Sequence, residues 1–170
     1  MTTFEAGAVI IGLGACATDI SARRVPNTLT GTAIVCGLLA HTVLPGGHGP
    51  AAALLGFAAG LAVFFPFFAL GGMGGGDVKL MAALGTWIGW QPVLWTALYG
   101  AVAGGALALI VALSQGYLRQ AFSNIGGLFL FWWVQGVKPM PGLTLEHGRG
   151  PRLPYAIPVF AGLVAMLWRH

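Results

Sequence analysis

The sequence predicts an all-α, polytopic membrane protein: a six-helix transmembrane bundle with an additional interfacial or re-entrant helix before the last span. Three observations point there. Apolar residues make up 57% of the 170 residues and charged residues only 7%, with a mean hydropathy of +0.84, whereas a soluble domain is roughly a quarter charged. The apolar residues fall in long runs, and a helix of about 20 residues is what crosses a bilayer. The few charges sit mainly between the runs. Six such spans use most of the chain, so residues 1–170 are expected to form a single membrane-embedded domain.

The first run, 4–20, contains Leu13-Gly14-Ala15-Cys16, which resembles a lipoprotein box, and Ala15-Cys16-Ala17, which resembles a signal-peptidase site. Residues 1–7 hold no Lys or Arg and carry Glu5, so the basic region of a cleavable signal is lacking and a retained helix is expected. The second run is 28–44 and the third 51–70. The fourth, 78–90, and fifth, 93–113, come from one uncharged stretch between Lys79 and Arg119 that is too long for a single span. It breaks at Gly89-Trp90-Gln91-Pro92, where proline lacks a backbone donor, and a tight helical hairpin results. The fourth run is short, so either its first turn starts below the membrane surface or the turn is displaced. The sixth is 153–168.

Segment 121–137 is uncharged and aromatic at Phe129, Phe131, Trp132 and Trp133. Charge counting decides its place. With six spans, Arg23, Arg24, Lys79, Arg119, Lys138, Arg149 and Arg152 share one side and only Arg169 takes the other; a seventh span would split the bases five to three. Basic residues mark the cytoplasmic side. The segment is therefore read as interfacial or re-entrant, with Ser123, Asn124 and Gln135 suited to headgroup depth. Both termini and the loop with His41 and His48 then face outward.

The net charge of +4 does not make a nucleic-acid surface, because the bases are scattered through short loops and report on the lipid bilayer instead. Cys16 and Cys36 lie in apolar runs without a CxxC pair or a nearby His, which argues against zinc or redox chemistry and for two small buried residues. No metal ligand set or cofactor motif is read. Close Gly spacing, Gly56 with Gly60 and Gly100 with Gly104, suits tight helix packing. Glu146 and His147 belong to a solvated, irregular loop at 138–152.

Two constellations carry chemistry. Asp19 ends the first run and is followed by Arg23, Arg24, Pro26 and Asn27; a structural account is an Asp–Arg pair at helical spacing, with Asn27 or Thr28 capping the second helix. Gly71-Gly72-Met73-Gly74-Gly75-Gly76-Asp77-Val78-Lys79-Leu80 delivers a second aspartate to a helix start; the structural account is a linker ending in an Asp N-cap. It lacks the Gly-Lys-Ser/Thr ending of a phosphate loop. Glycines also leave room for an extended substrate backbone. Asp19 and Asp77 are the only aspartates, and topology puts both at the cytoplasmic face. Two close carboxylates share one proton, so that one acts as base on water while the other donates to a scissile carbonyl. That is aspartic peptidase chemistry.

With Asp19, Arg23, Pro26 and Asn27 at one helix end, and Gly74 to Leu80 at another, the chain resembles the prepilin leader peptidases of the GxGD class of membrane aspartic peptidases. A weaker match is Leu153-Pro154-Tyr155-Ala156 with Gly162. The resemblance implies removal of a short basic leader from a type IV prepilin or pseudopilin helix at the cytoplasmic face of a bacterial inner membrane. It implies Asp19 and Asp77 as the catalytic pair, with Gly74, Gly76, Lys79, Arg23, Pro26 and Asn27 supporting them or the substrate's approach, and a connection to pilus assembly machinery. Larger members carry two CxxC pairs associated with methyl transfer; this chain is similar to the short, peptidase-only Flp or tight-adherence type. Alternatives are a preflagellin-type peptidase, a non-catalytic membrane scaffold, and a small proton-coupled transporter subunit, whose acids would be expected nearer the midplane.

Overall fold

A computed structural model describes residues 1–116, 118–138, 140 and 155–169. Among them are seven helices and no strand: α1 (Thr3–Ala22), α2 (Asn27–Val43), α3 (Gly49–Ala69), α4 (Gly75–Ile88), α5 (Trp90–Ser114), α6 (Leu118–Gln135) and α7 (Ala156–Trp168). Most of the loop 138–152, with Glu146, His147, Arg149 and Arg152, and the expected start of the last run at 153 lie outside the described residues.

Three helices, α1, α3 and α5, are long and apolar enough to cross a membrane. The others are shorter: α2, α4 and α7 have 17, 14 and 13 residues. Large apolar side chains such as Ile10, Leu39, Leu54, Phe65 and Ile110 face outward, as a lipid-facing surface requires. Cys36 is among the exposed positions and Cys16 is half-buried, so neither sits in the core as a small buried residue.

Helix α4 forms the centre. An unbroken run of its residues, Leu80 to Thr86, is buried, and α1, α2, α3, α5 and α7 all pack against it. Glycine makes the closest approaches possible. Gly56 of α3 lies against the backbone of Gly85, and Gly60 against Met81 and Ala82, so these two helices touch main chain to main chain. Gly100 of α5 lies against the backbone of Pro158 and Val159 near the start of α7, and Gly104 against the side chains of Pro158 and Tyr155. Both glycine pairs thus pack helices, as their spacing suggested. At the far end of α4, Trp87 lies against Gly7 and Gly37 and donates its Nε1–H to the Ala33 carbonyl, 2.8 Å away.

Several boundaries differ from expectation for local reasons. Helix α3 stops in a Schellman arrangement: Gly71, at φ 74°, donates to Phe68 and Gly72 donates to Phe67. The break between α4 and α5 is the single residue Gly89, at φ 85°. Pro92 falls in the first turn of α5, where a missing N–H has no helical partner to lose. Helix α6 packs only against α5 among the described helices, and it exposes Phe122, Ile125, Leu130 and Trp133.

Candidate active site

The two sequence constellations meet at one end of the bundle. Arg23 closes α1 in the left-handed region, at φ 51°, its N–H donating to the Asp19 carbonyl. That turn frees the chain to run extended through Val25 and Pro26 into α2, whose N-cap is Pro26. Asn27 does not cap α2 with its side chain; its Oδ1 accepts from Lys79 Nζ at 2.9 Å. This bond ties the α1–α2 corner to the first turns of α4. Gly76 lies against Val25, where an added methyl would meet Val25 atoms at 3.4 Å.

Asp19 is only 6% exposed. Its Oδ2 accepts a hydrogen bond from the backbone N–H of Ala156, at the start of α7, with a length of 3.0 Å. Asp19 has no ion pair: among the described residues only the N-terminal amine and Glu5 form one. The Asp–Arg pairing anticipated from i,i+4 spacing therefore does not form, because α1 ends at Ala22 and Arg23 turns away exposed.

Asp77 is not the N-cap of α4. Gly74 holds that position and Asp77 stands three residues inside, in the first turn. It precedes the apolar run 78–90 and is partly buried. Burial, and then the neighbouring Asp19 carboxylate, push the Asp77 carboxyl up to about 7, against a hydrogen bond from the Gly74 backbone that favours ionisation. The charge of Asp77 also reaches the phenol of Tyr155, just ahead of α7. A methyl on Gly74 would stand 3.1 Å from Asp77 Oδ2, which gives that glycine a reason beyond flexibility.

The arrangement places two carboxylates from different helices within each other's field at a helix-end surface, with one deeply buried and one reachable. Such a pair holds a proton that can move between water and a carbonyl substrate. All eight residues singled out from the sequence, Asp19, Arg23, Pro26, Asn27, Gly74, Gly76, Asp77 and Lys79, lie at this end. Cys16, Val25, Tyr155 and Ala156 join them without having been assigned roles there. Cys16 had a signal, since it precedes Asp19 by three residues on the same helix face; the Ala156 amide had none, being main chain 137 residues away.

A separate cavity lies elsewhere. A hollow of about 630 Å³ opens at the opposite end of the bundle, bordered by Glu5, His41, His48, Trp87 and Trp90. His41 is fixed there: its ring stacks on Phe4 with centroids 4.3 Å apart, Nε2–H donates to the Trp87 carbonyl and Nδ1 accepts from the His48 N–H. Both ring nitrogens of His41 are thus engaged within the fold.

Comparison with known proteins bears on the same residues. A family model described as the type IV leader peptidase family matches residues 7–109, a segment containing both aspartates. The chain is 32% identical over 157 residues to a prepilin leader peptidase/N-methyltransferase of Aeromonas hydrophila, covering 88% of this chain and 44% of that protein. It is 36% identical over 104 residues to a protein of the same name from Aeromonas salmonicida (strain A449), covering 54% of this chain and 35% of the relative. A third of that name, from Burkholderia pseudomallei (strain 1026b), is 50% identical over 48 residues, 28% of this chain and 15% of the relative. The chain thus spans less than half the length of these curated relatives. No solved structure matches it.

Proposed function

Because the chain belongs to the type IV leader peptidase family, we propose that it is an aspartic endopeptidase that removes the leader from a type IV, Flp-like prepilin. The observation that carries this reading is the meeting of Asp19 and Asp77, from α1 and α4, at one end of the bundle, where the charge of one bears on the other. The curated relatives' names supply the substrate class, which comes to this chain by similarity.

The chemistry needs only the two carboxyls and water. The ionised aspartate takes a proton from water as its oxygen bonds to the scissile carbonyl carbon, and the protonated aspartate gives its proton to the carbonyl oxygen. The resulting tetrahedral diol collapses: the C–N bond breaks, the amine leaves with a proton from the aspartate that took one from water, and the other aspartate recovers its own. Gly74 and Gly76 leave an extended substrate strand free to reach Asp77. The Asn27–Lys79 bond holds the two helix ends in register.

In this reading the six spans fall within α1 to α5 and α7, the fourth beginning after Asp77, and α6 is the interfacial or re-entrant helix on the cytoplasmic side with its exposed aromatic face in lipid. The distribution of basic residues supports the cytoplasmic side for the dyad, where a prepilin presents a leader followed by an apolar helix. The test is leader cleavage of a co-expressed Flp-type prepilin, followed by gel shift, for wild type, Asp19→Asn and Asp77→Asn at matched membrane levels. Loss of cleavage in both variants is expected; cleavage persisting in either removes that aspartate from the chemistry.

A further inference from the structure

Asp19 hangs from α1 by a side chain whose terminal torsion is intrinsically broad and nearly two-fold, so burial alone does not fix where its two oxygens point. Its one side-chain hydrogen bond among the described residues comes from Ala156 N–H, which lies at the first residue of α7 and is fully buried. The donor is itself held. The Cys16 thiol, one turn before Asp19 on α1, donates to the Ala156 carbonyl at 3.4 Å. One peptide unit pair at the start of α7 is thus gripped from both sides by the same face of α1.

We propose that the first turn of α7 is a third wall of the active site: the Ala156 N–H orients Asp19 and marks it as the base of the pair, while Cys16 braces that turn. This rests on the peptidase reading above and assigns roles within it. An oxygen that accepts an N–H has that lone pair occupied, so Oδ1 is the edge of Asp19 left for water. An N–H in the first turn of a helix also complements negative charge, which places the carboxylate on Asp19 and the shared proton on Asp77. The elevated proton affinity of Asp77 agrees with this division. Tyr155, next to Ala156, lies within the field of the Asp77 charge, so both aspartates act on the same turn. Ala156 and Cys16 are positioning residues in this scheme and touch no substrate.

The decisive variant replaces the amide between Tyr155 and Ala156 with an ester, by incorporating lactate at 156 during cell-free synthesis into liposomes. It deletes one N–H and keeps every side chain. Cleavage of the Flp-type prepilin is expected to fall roughly ten- to hundredfold in kcat with KM unchanged, the loss of one charge-assisted hydrogen bond, and the acidic limb of the pH–rate profile moves to higher pH. Cys16→Ala lowers kcat severalfold, and Cys16→Ser, which restores a hydroxyl donor, recovers most of it. Wild-type kcat and pH profile in the ester protein would overturn the proposal; if that protein does not insert, equal activity of Cys16→Ala and wild type overturns it instead. These outcomes differ from failure of the peptidase reading, in which wild type itself leaves the prepilin uncut.

Discussion

Gly60→Ala tests whether the spacing of α3 and α4 sets the geometry of the dyad. A methyl on Gly60 would stand closer to the Met81 carbonyl than the 3.0 Å that real methyl groups keep, and would lie 3.0 Å from Ala82 Cα. Both obstacles are backbone, so no side chain can swing aside. Restoring ordinary contact takes a helix displacement on the order of 1 Å, and overpacking of this kind costs roughly 1–3 kcal/mol. Met81 follows Asp77 by one helical turn, so the displacement reaches the carboxylate, and a misplacement of about 1 Å costs on the order of a hundredfold in rate. Gly56→Ala meets Gly85 two turns from Asp77. It should destabilise as much and slow cleavage less. Thermal unfolding in detergent and prepilin cleavage by the folded fraction are the two readouts. Gly105→Ala is the control, since nothing lies within 4 Å of its added methyl. A Gly60→Ala protein that unfolds and cleaves like wild type would refute the close-packed α3–α4 seam as the element that positions Asp77.

The pH dependence follows from Asp77, whose carboxyl is raised from 3.8 to about 7. Cleavage that needs it protonated declines as the pH rises through about 7 and also declines in acid as the ionised partner is lost, a bell that a rate measurement from pH 4 to 9 would reveal. The native state binds this proton more tightly than the unfolded chain, so its stabilising effect is full below 3.8 and is lost as the pH rises through about 7; Asp77→Asn should flatten that part of the unfolding-midpoint curve. Asn27→Ala and Lys79→Met should each reduce kcat/KM about twofold and the double variant no further, with a coupling of about 0.5 kcal/mol for an exposed hydrogen bond, read from a double-mutant cycle. Arg23→Gly relieves a left-handed backbone at φ 51° and should leave stability equal or higher by about 0.5–1 kcal/mol in denaturant titration. His41→Phe keeps the stack on Phe4 but loses the bonds to Trp87 and His48; unfolding should come about 1–3 kcal/mol earlier, with turnover per folded molecule unchanged.

The convergence of Asp19 and Asp77 was legible because charge counting fixes which helix ends share a side, and helix ends are where both lie. The Gly56–Gly60 and Gly100–Gly104 seams were legible for a different reason: small residues four apart line one helix stripe. The start of α4 was not. Gly75 and Gly76 read as loop, since glycine in a helix costs about 1 kcal/mol, yet packing against Phe68 and Val25 draws them into the first turn. That shift turns Asp77 from a cap into a side chain inside the helix. Likewise, Asp19 and Arg23 have ion-pair spacing only while the helix lasts, and it ends one residue too soon. The exposure of Cys36 was hidden because lipid-facing and core positions are both apolar in sequence. Most elusive was the Ala156 amide, since main-chain donors leave no mark on composition.

The shortness of α4 explains how a pair of carboxyls can sit in an apolar bundle at all. Fourteen residues rise about 21 Å, against a hydrocarbon core of about 30 Å, and of the five helices packed against α4 all but α7 are longer. A helix so enclosed needs no lipid-facing length, so a short α4 can carry Asp77 in its first turn, ahead of its buried run. Asp19 comes from α1, nearly out of solvent, where a carboxylate is tolerable only with a donor such as Ala156 N–H. The two sites then contrast: one carboxyl is fixed by main chain and buried, the other is partly exposed and raised to about 7. A symmetric pair at the open surface would ionise at both positions and have no proton to give.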